Sequence, residues 1–300
     1  MQKEKIAKKK EKILILGFGD LGEHLASSLA NYYRITGVCR RRKSSAYADI
    51  LSADCRQREA LQPILENHFD VIVMTFTPDA ITDEGYRSNY VDTASTLLAI
   101  LSSLDKQPRL IVFVSSTSVY GQQNGDWVNE LSPTTPQHFS GRRLLEAEQL
   151  LILSPWSTCI VRCSGLYGPG RRRLIEQVIS GKGCETESAI ISNRIHIEDC
   201  ANAIAHLINQ QKYMPLADCY LLSDCAPTPL WEVKQWLANA LKLPVNHFSK
   251  NNTLANAVRT NKRGNKHCDN GRLLSSGYQF IYPSFREGYG QLLKQEKVDC

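Results

Sequence analysis

Ile13-Leu14-Ile15-Leu16-Gly17-Phe18-Gly19-Asp20-Leu21-Gly22 joins a continuously apolar run to the start of an amphipathic helix. The apolar run reads as a buried strand, and Leu21, Leu25 and Leu29 recur on one helical face. Between them stand three glycines with the spacing G-x-G-x-x-G. The first permits a tight turn, the second lets the backbone approach a pyrophosphate, and the third lets helix and strand pack closely. The helix N-terminus adds free N–H groups and a partial positive charge. A dinucleotide site is therefore expected, with Gly17, Phe18, Gly19, Asp20, Leu21 and Gly22 forming its loop. The competing reading is an ordinary strand-to-helix turn with no ligand.

Working outward, apolar strand-like runs alternate with helical patterns, which is the mark of a parallel sheet covered on both faces. The expected strands are Tyr33–Cys39, Val71–Thr75, Leu110–Ser115 and Thr158–Arg162. Helical spacing appears around Glu59–Leu65, over Val91, Ala94, Leu98 and Leu101, and over Leu144, Ala147 and Leu151. Further on, Cys200, Ala203, Ile204, Leu207 and Ile208 share a helical face. Thr228-Pro229 looks like a helix start, a capping hydroxyl followed by proline at the first helical position, for a helix reaching about Leu241. The fold class is α/β, a doubly wound parallel (Rossmann) sheet with a smaller C-terminal substrate-binding region. Residues 1–12 form a flexible basic tail, 13–164 the dinucleotide-binding domain and 165–300 the substrate-binding region, with about 190–222 returning to the sheet.

Composition excludes several function classes. No apolar run is long enough to span a bilayer. The lysine-rich start lacks the apolar core of a secretory signal, so a cytoplasmic protein is expected. Residues 1–12 hold six lysines and two glutamates, which leaves only +2 of the net +6 for the rest of the chain. That balance describes a solvated tail better than a nucleic-acid surface. The ten cysteines are scattered without CxxC pairs or zinc-ligand spacing, so neither a metal site nor a disulfide framework is expected. The expected partner is a small molecule, to a monomer or homodimer.

Ser115-Ser116-Thr117-Ser118-Val119-Tyr120-Gly121 ends the central strand. Asn89-Tyr90-Val91 stands before it, and Arg162-Cys163-Ser164-Gly165-Leu166-Tyr167-Gly168-Pro169-Gly170, Asn193-Arg194-Ile195-His196-Ile197-Glu198-Asp199 and Gly271–Tyr289 come after it. Through these motifs the chain resembles the extended short-chain dehydrogenase/reductase superfamily, in its NAD-dependent epimerase/dehydratase branch. The resemblance implies a serine that polarises a carbonyl or hydroxyl, here Ser116, and a tyrosine–lysine pair four residues apart. Aligned through Gly141 and Glu148, those two positions hold Ser140 and Leu144, or Phe139 and Arg143 one residue earlier. Neither register provides the pair, which makes this an atypical member. Tyr167 is the first alternative proton donor, ahead of Tyr120 and His196, although each also fits a packing role.

Cofactor choice rests on charge. NAD sites place a carboxylate on the ribose about 20 residues past the glycine loop, whereas this chain has Arg40-Arg41-Arg42-Lys43. Arg40 and Arg41 suit a 2′-phosphate, so NADP is expected, with NAD the alternative; a solvated basic turn is the competing reading. Asp54 matches the family position that meets the adenine amino group, and Thr75 completes the expected cofactor set. Arg171 and Arg172 point either to an anionic substrate or to an exposed basic loop. The expected function is an NAD(P)-binding oxidoreductase transferring a hydride to or from an anionic metabolite, a nucleotide sugar being the leading class. The alternative is a non-catalytic NADP(H)-binding sensor or regulator.

Overall fold

The computed structural model describes residues 10–181, 190–244 and 264–298. Its centre is a seven-stranded sheet, parallel throughout. The strands are β1 (Lys12–Leu16), β2 (Arg34–Cys39), β3 (Asp49–Ser52), β4 (Val71–Met74), β5 (Leu110–Ser116), β7 (Thr158–Cys163) and β11 (Cys219–Leu222). Their order, β11-β7-β5-β4-β1-β2-β3, is that of the expected doubly wound sheet. The chain leaves β1 toward β2 and β3, then returns to β4 and proceeds the other way. That reversal, between β1 and β4, opens a crevice at the carboxyl ends of the strands, where such sheets hold their ligands.

The apolar runs are central because both faces are covered. Ile13, Leu14, Ile15 and Leu16 are fully buried, as are Val71, Val73, Ile111, Val112 and Phe113. Alternate residues of these strands feed two cores on opposite sides of the sheet. Helix α1 (Asp20–Leu29) buries Leu21, Leu25 and Leu29, and packs beside α7 (Ile197–Gln210). That contact is fastened by Ser28 Oγ donating to Asn202 Oδ1 and by Tyr33 OH donating to Asn209 Oδ1, both at 2.6 Å. A third core, with Tyr167, Val178, Val233, Leu237, Phe285 and Tyr289, lies among the C-terminal helices. Asp199 ties the stretch Tyr278–Tyr282 to α7. Its carboxylate accepts from the Tyr278 hydroxyl and from the Ile281 and Tyr282 amides, each at 2.8 Å.

Several details differ from the sequence reading. Edge strand β3 has a mostly exposed pattern that gives no buried-strand signal. The helix after β4 contains a π-helical segment, Arg87–Asp92, ahead of α4 (Thr93–Leu101). Thr228 does not cap a helix. Its hydroxyl donates to the Ala226 carbonyl, and Thr228–Pro229 pairs with Ile191–Ser192 while the helix begins at Leu230. The basic tail loses its last residue, because Lys12 opens β1 and its amide donates to Asp70 at 2.7 Å. Residues 1–9 of that tail lie outside the described residues. Among the described residues, no helix is long and apolar enough to cross a membrane.

Beneath the end of β5 lies a buried charge pair. Glu148, on α5 (Phe139–Ile152), receives Arg162 of β7 at 2.7 Å and the Ser115 hydroxyl. Arg162 also donates to Tyr120 Oη at 3.0 Å, so one pair links three elements around Ser116. Removing one partner strands a charge where water cannot reach it. We predict that Arg162→Met lowers unfolding free energy by about 3–5 kcal/mol in urea titration, and that adding Glu148→Met recovers part of that loss. A single variant as stable as the wild type would show that the pair does not hold this corner.

Candidate functional site

The glycine loop forms because three backbone positions have no room for a side chain. Gly17 has a φ of +81°, and a Cβ there would fall 2.7 Å from the Phe76 ring. Its amide and that of Phe18 both donate to the Val38 carbonyl, at 3.0 and 2.8 Å. A Cβ on Gly37 would come within 2.3 Å of the Phe18 ring, and one on Gly22 within 3.2 Å. Phe18 thus plugs into the space that Gly22 and Gly37 leave, which fixes the loop from below. Gly19 differs: the nearest neighbour of a Cβ there would be the Gly17 carbonyl at 3.8 Å, so space above it is open. It is the N-cap of α1, and no side chain caps that end. Open space over uncapped amides fits a pyrophosphate.

A cleft of about 370 Å³ runs from this loop along the ends of β2 and β4. Gly17, Phe18, Gly19, Asp20, Arg40, Arg41 and Asp54 line it, together with Lys43, Arg56, Phe76 and Asn89, which the sequence reading did not select. Leu21 and Gly22 instead face the core, so they support the loop rather than line the cleft. Thr75 is also a support, its hydroxyl donating to the Gly17 carbonyl at 2.9 Å.

The basic wall is partly neutralised. Arg40 donates through both terminal nitrogens to Asp79. Arg56 grips Asp54, with Nε 2.8 Å from Oδ1, and reaches Asp79 at 3.4 Å. These guanidinium contacts hold both carboxyls below the usual carboxylate range. Lys43 lies 3.4 Å from Glu23 and over the Phe18 ring. Among the described residues, Arg41 is the cleft cation with no ion-pair partner.

At the far side of the crevice, Ser116 ends β5. Its Oγ accepts the Ser118 amide at 3.1 Å, a bond that does not use the hydroxyl proton. The turn Gly168–Arg171, closed by Arg171 N–H to the Gly168 carbonyl at 3.0 Å, brings Arg171 to Asp20 at 2.6 Å. Arg172 is exposed beside it. Tyr167 is placed differently from a proton donor. Only 3% of it is exposed, its ring packs on Tyr289 at 4.5 Å, and its hydroxyl donates to the Ser284 carbonyl. Burial raises its pKa, away from the range useful for proton transfer. His196 is buried too, with its pKa pushed down to about 4 by desolvation, and it caps α7. Tyr120 is held under Arg162. Leu144, at the lysine position, is core, and Arg143 turns to Asp83 and Glu146.

Comparison with known proteins places this geometry. The model of the NAD dependent epimerase/dehydratase family matches residues 13–216. Protein YeeZ of Escherichia coli K12 is 31% identical over 230 residues, covering 72% of this chain and 78% of YeeZ. A Methylobacillus flagellatus structure classed among the NAD-dependent epimerases/dehydratases is 34% identical, with a TM-score of 0.79 over 96% of this chain and 99% of its own. UDP-glucuronic acid 4-epimerase from Bacillus cereus, solved with NAD, shares the fold at 18% identity and a TM-score of 0.76, over 95% and 99% of the two chains. With a family match over more than half its length and a glycine loop shaped for a nicotinamide dinucleotide, the chain belongs to the NAD-dependent epimerase/dehydratase family.

Proposed function

We propose that the protein is a cytoplasmic NADP(H)-dependent oxidoreductase acting on a carbonyl or hydroxyl carbon of an anionic metabolite, with nucleotide sugars the leading class. The observation that carries the cofactor choice is the uncompensated Arg41 in the cleft. A 2′-phosphate would gain paired, charge-assisted hydrogen bonds there, whereas Arg40 and Arg56 are already held by Asp79 and Asp54. Gly17 and Gly19 provide the approach for the pyrophosphate, and Asp54 stands by the adenine end of the cleft. When bound, the nicotinamide supplies or accepts the hydride. Ser116 orients the substrate oxygen and polarises it through its hydroxyl. Arg171 and Arg172 stand ready for an anionic substrate group, which would compete with Asp20 for Arg171.

A second reading, a non-catalytic NADP(H)-binding sensor or regulator, draws support from Leu144, an apolar core residue at the position where the family resemblance implies a lysine. It predicts tight cofactor binding without turnover.

Two variants test the cofactor site by calorimetric titration. A Cβ on Gly19 meets no protein atom closer than 3.8 Å, so the fold should survive Gly19→Val while dinucleotide binding is lost. Unchanged affinity would place the cofactor elsewhere. Arg41→Ala should weaken NADPH by about 1–3 kcal/mol and leave NADH nearly unchanged, with Arg40→Ala less damaging because Asp79 already occupies that guanidinium. Equal losses for both cofactors would mean Arg41 does not read the 2′-phosphate.

A further inference from the structure

The oxidoreductase reading, on which this inference rests, needs a proton carrier that the missing tyrosine and lysine would have provided. Ser140 stands at the tyrosine position, in the first turn of α5, and its Oγ lies 2.8 Å from Nδ1 of His138. His138 is the N-cap of that helix, and the same Nδ1 accepts the Ser140 amide at 3.3 Å. A nitrogen that accepts a backbone N–H carries a lone pair rather than a proton. The hydrogen bond with Ser140 therefore runs from hydroxyl to imidazole, and the helix cap itself selects the tautomer able to receive a proton.

The pair is also brought against the polarising serine. A Cβ on Gly141 would fall 2.2 Å from the Ser118 carbonyl, so the first turn of α5 touches the turn after β5 backbone to backbone. Ser118 in turn holds the Ser116 hydroxyl oxygen at 3.1 Å. Glycine at position 141 is what permits this approach. Ser116 and Ser140 thus stand on two touching backbone segments, and both are partly exposed.

We propose that Ser140 and His138 form a proton relay replacing the absent tyrosine and lysine. In the oxidative direction the substrate O–H proton passes to Ser140 Oγ while Ser140 passes its own proton to His138 Nδ1. A nicotinamide held at the glycine loop would supply the acceptor for the substrate hydride, which balances the C=O bond formed, and the imidazolium returns its proton to water. Reduction runs the same transfers in reverse. Ser140 is the group that meets substrate; His138 acts through it.

The test compares wild type, Ser140→Ala, Ser140→Thr and His138→Asn, the last keeping a good helix cap while removing the base. Each is assayed from acid to alkaline pH with NADP+ or NADPH against UDP-glucuronic acid, UDP-glucose and small alcohols and aldehydes, and NADPH affinity is measured in parallel. The cofactor-free proteins are also examined by imidazole nitrogen NMR. The relay predicts His138 as the Nε2–H tautomer, with the Nδ1 signal moving toward that of a free imine nitrogen in Ser140→Ala. It predicts kcat reduced on the order of a hundredfold in Ser140→Ala and His138→Asn, with NADPH affinity unchanged. Ser140→Thr should restore turnover, and His138→Asn should lose the ionisation seen in the wild-type pH profile. Turnover with an unchanged rate and pH profile in both variants overturns the relay but leaves the oxidoreductase reading standing. An Nδ1–H tautomer overturns the relay alone. NADPH binding with no turnover on any substrate overturns the oxidoreductase reading, and the relay with it.

Discussion

Three missing side chains hold the site together. A Cβ on Gly17 would fall 2.7 Å from the Phe76 ring, and Gly22 and Gly37 leave the volume that the Phe18 ring fills. Because Phe18 is locked in that space, the loop between β1 and α1 has one position rather than several. The amides at the start of α1 are then aimed into the crevice without any side-chain cap to occupy them. Gly19 faces open space, so within one short motif two glycines serve packing and the third leaves the backbone accessible. A side chain at Gly37, twenty residues from the first glycine, would displace the same loop by pushing on Phe18.

The crevice is a study in partial neutralisation. Four cations line it, yet Asp54, Asp79 and Glu23 engage three of them. Such pairing keeps the cleft from accumulating unbalanced positive charge and leaves Arg41, among the described residues, as its unpaired cation. The pairs are partly solvated, so each contributes little to stability, and their larger effect is on where a charged ligand settles. Asp20 and Arg171 repeat the arrangement at the other end, joining the glycine loop to the substrate-side turn. Arg171 offsets the negative charge that Asp20 places beside the uncapped start of α1.

Much of the scaffold was legible because burial on both faces leaves a continuous apolar signature, as in Ile13–Leu16 and Leu110–Val114. The glycine loop was legible because its spacing reports a backbone requirement. Edge strand β3 and the two-residue strands Ile191–Ser192 and Thr228–Pro229 were not, since so few residues, most of them at least partly exposed, carry no period to read. Thr228-Pro229 misled because its hydroxyl found the Ala226 carbonyl two residues back instead of a helix amide. The arginine run could be seen, but not its partners: Arg40 meets Asp79 across thirty-nine residues, which no local pattern encodes. Tyr167 looked available for chemistry only until the last helix, bringing Gly288 and Tyr289, covered it. The His138–Ser140 contact is local, yet a histidine before a helix has no distinctive sequence signal.

A crystal structure of the protein with NADPH tests the central claim most directly. The account predicts the pyrophosphate against the backbone of Gly17–Gly19, the 2′-phosphate on the Arg41 guanidinium, and the nicotinamide facing the hydroxyls of Ser116 and Ser140. A dinucleotide bound away from the glycine loop, or with its 2′-phosphate turned from Arg41 into solvent, would contradict it.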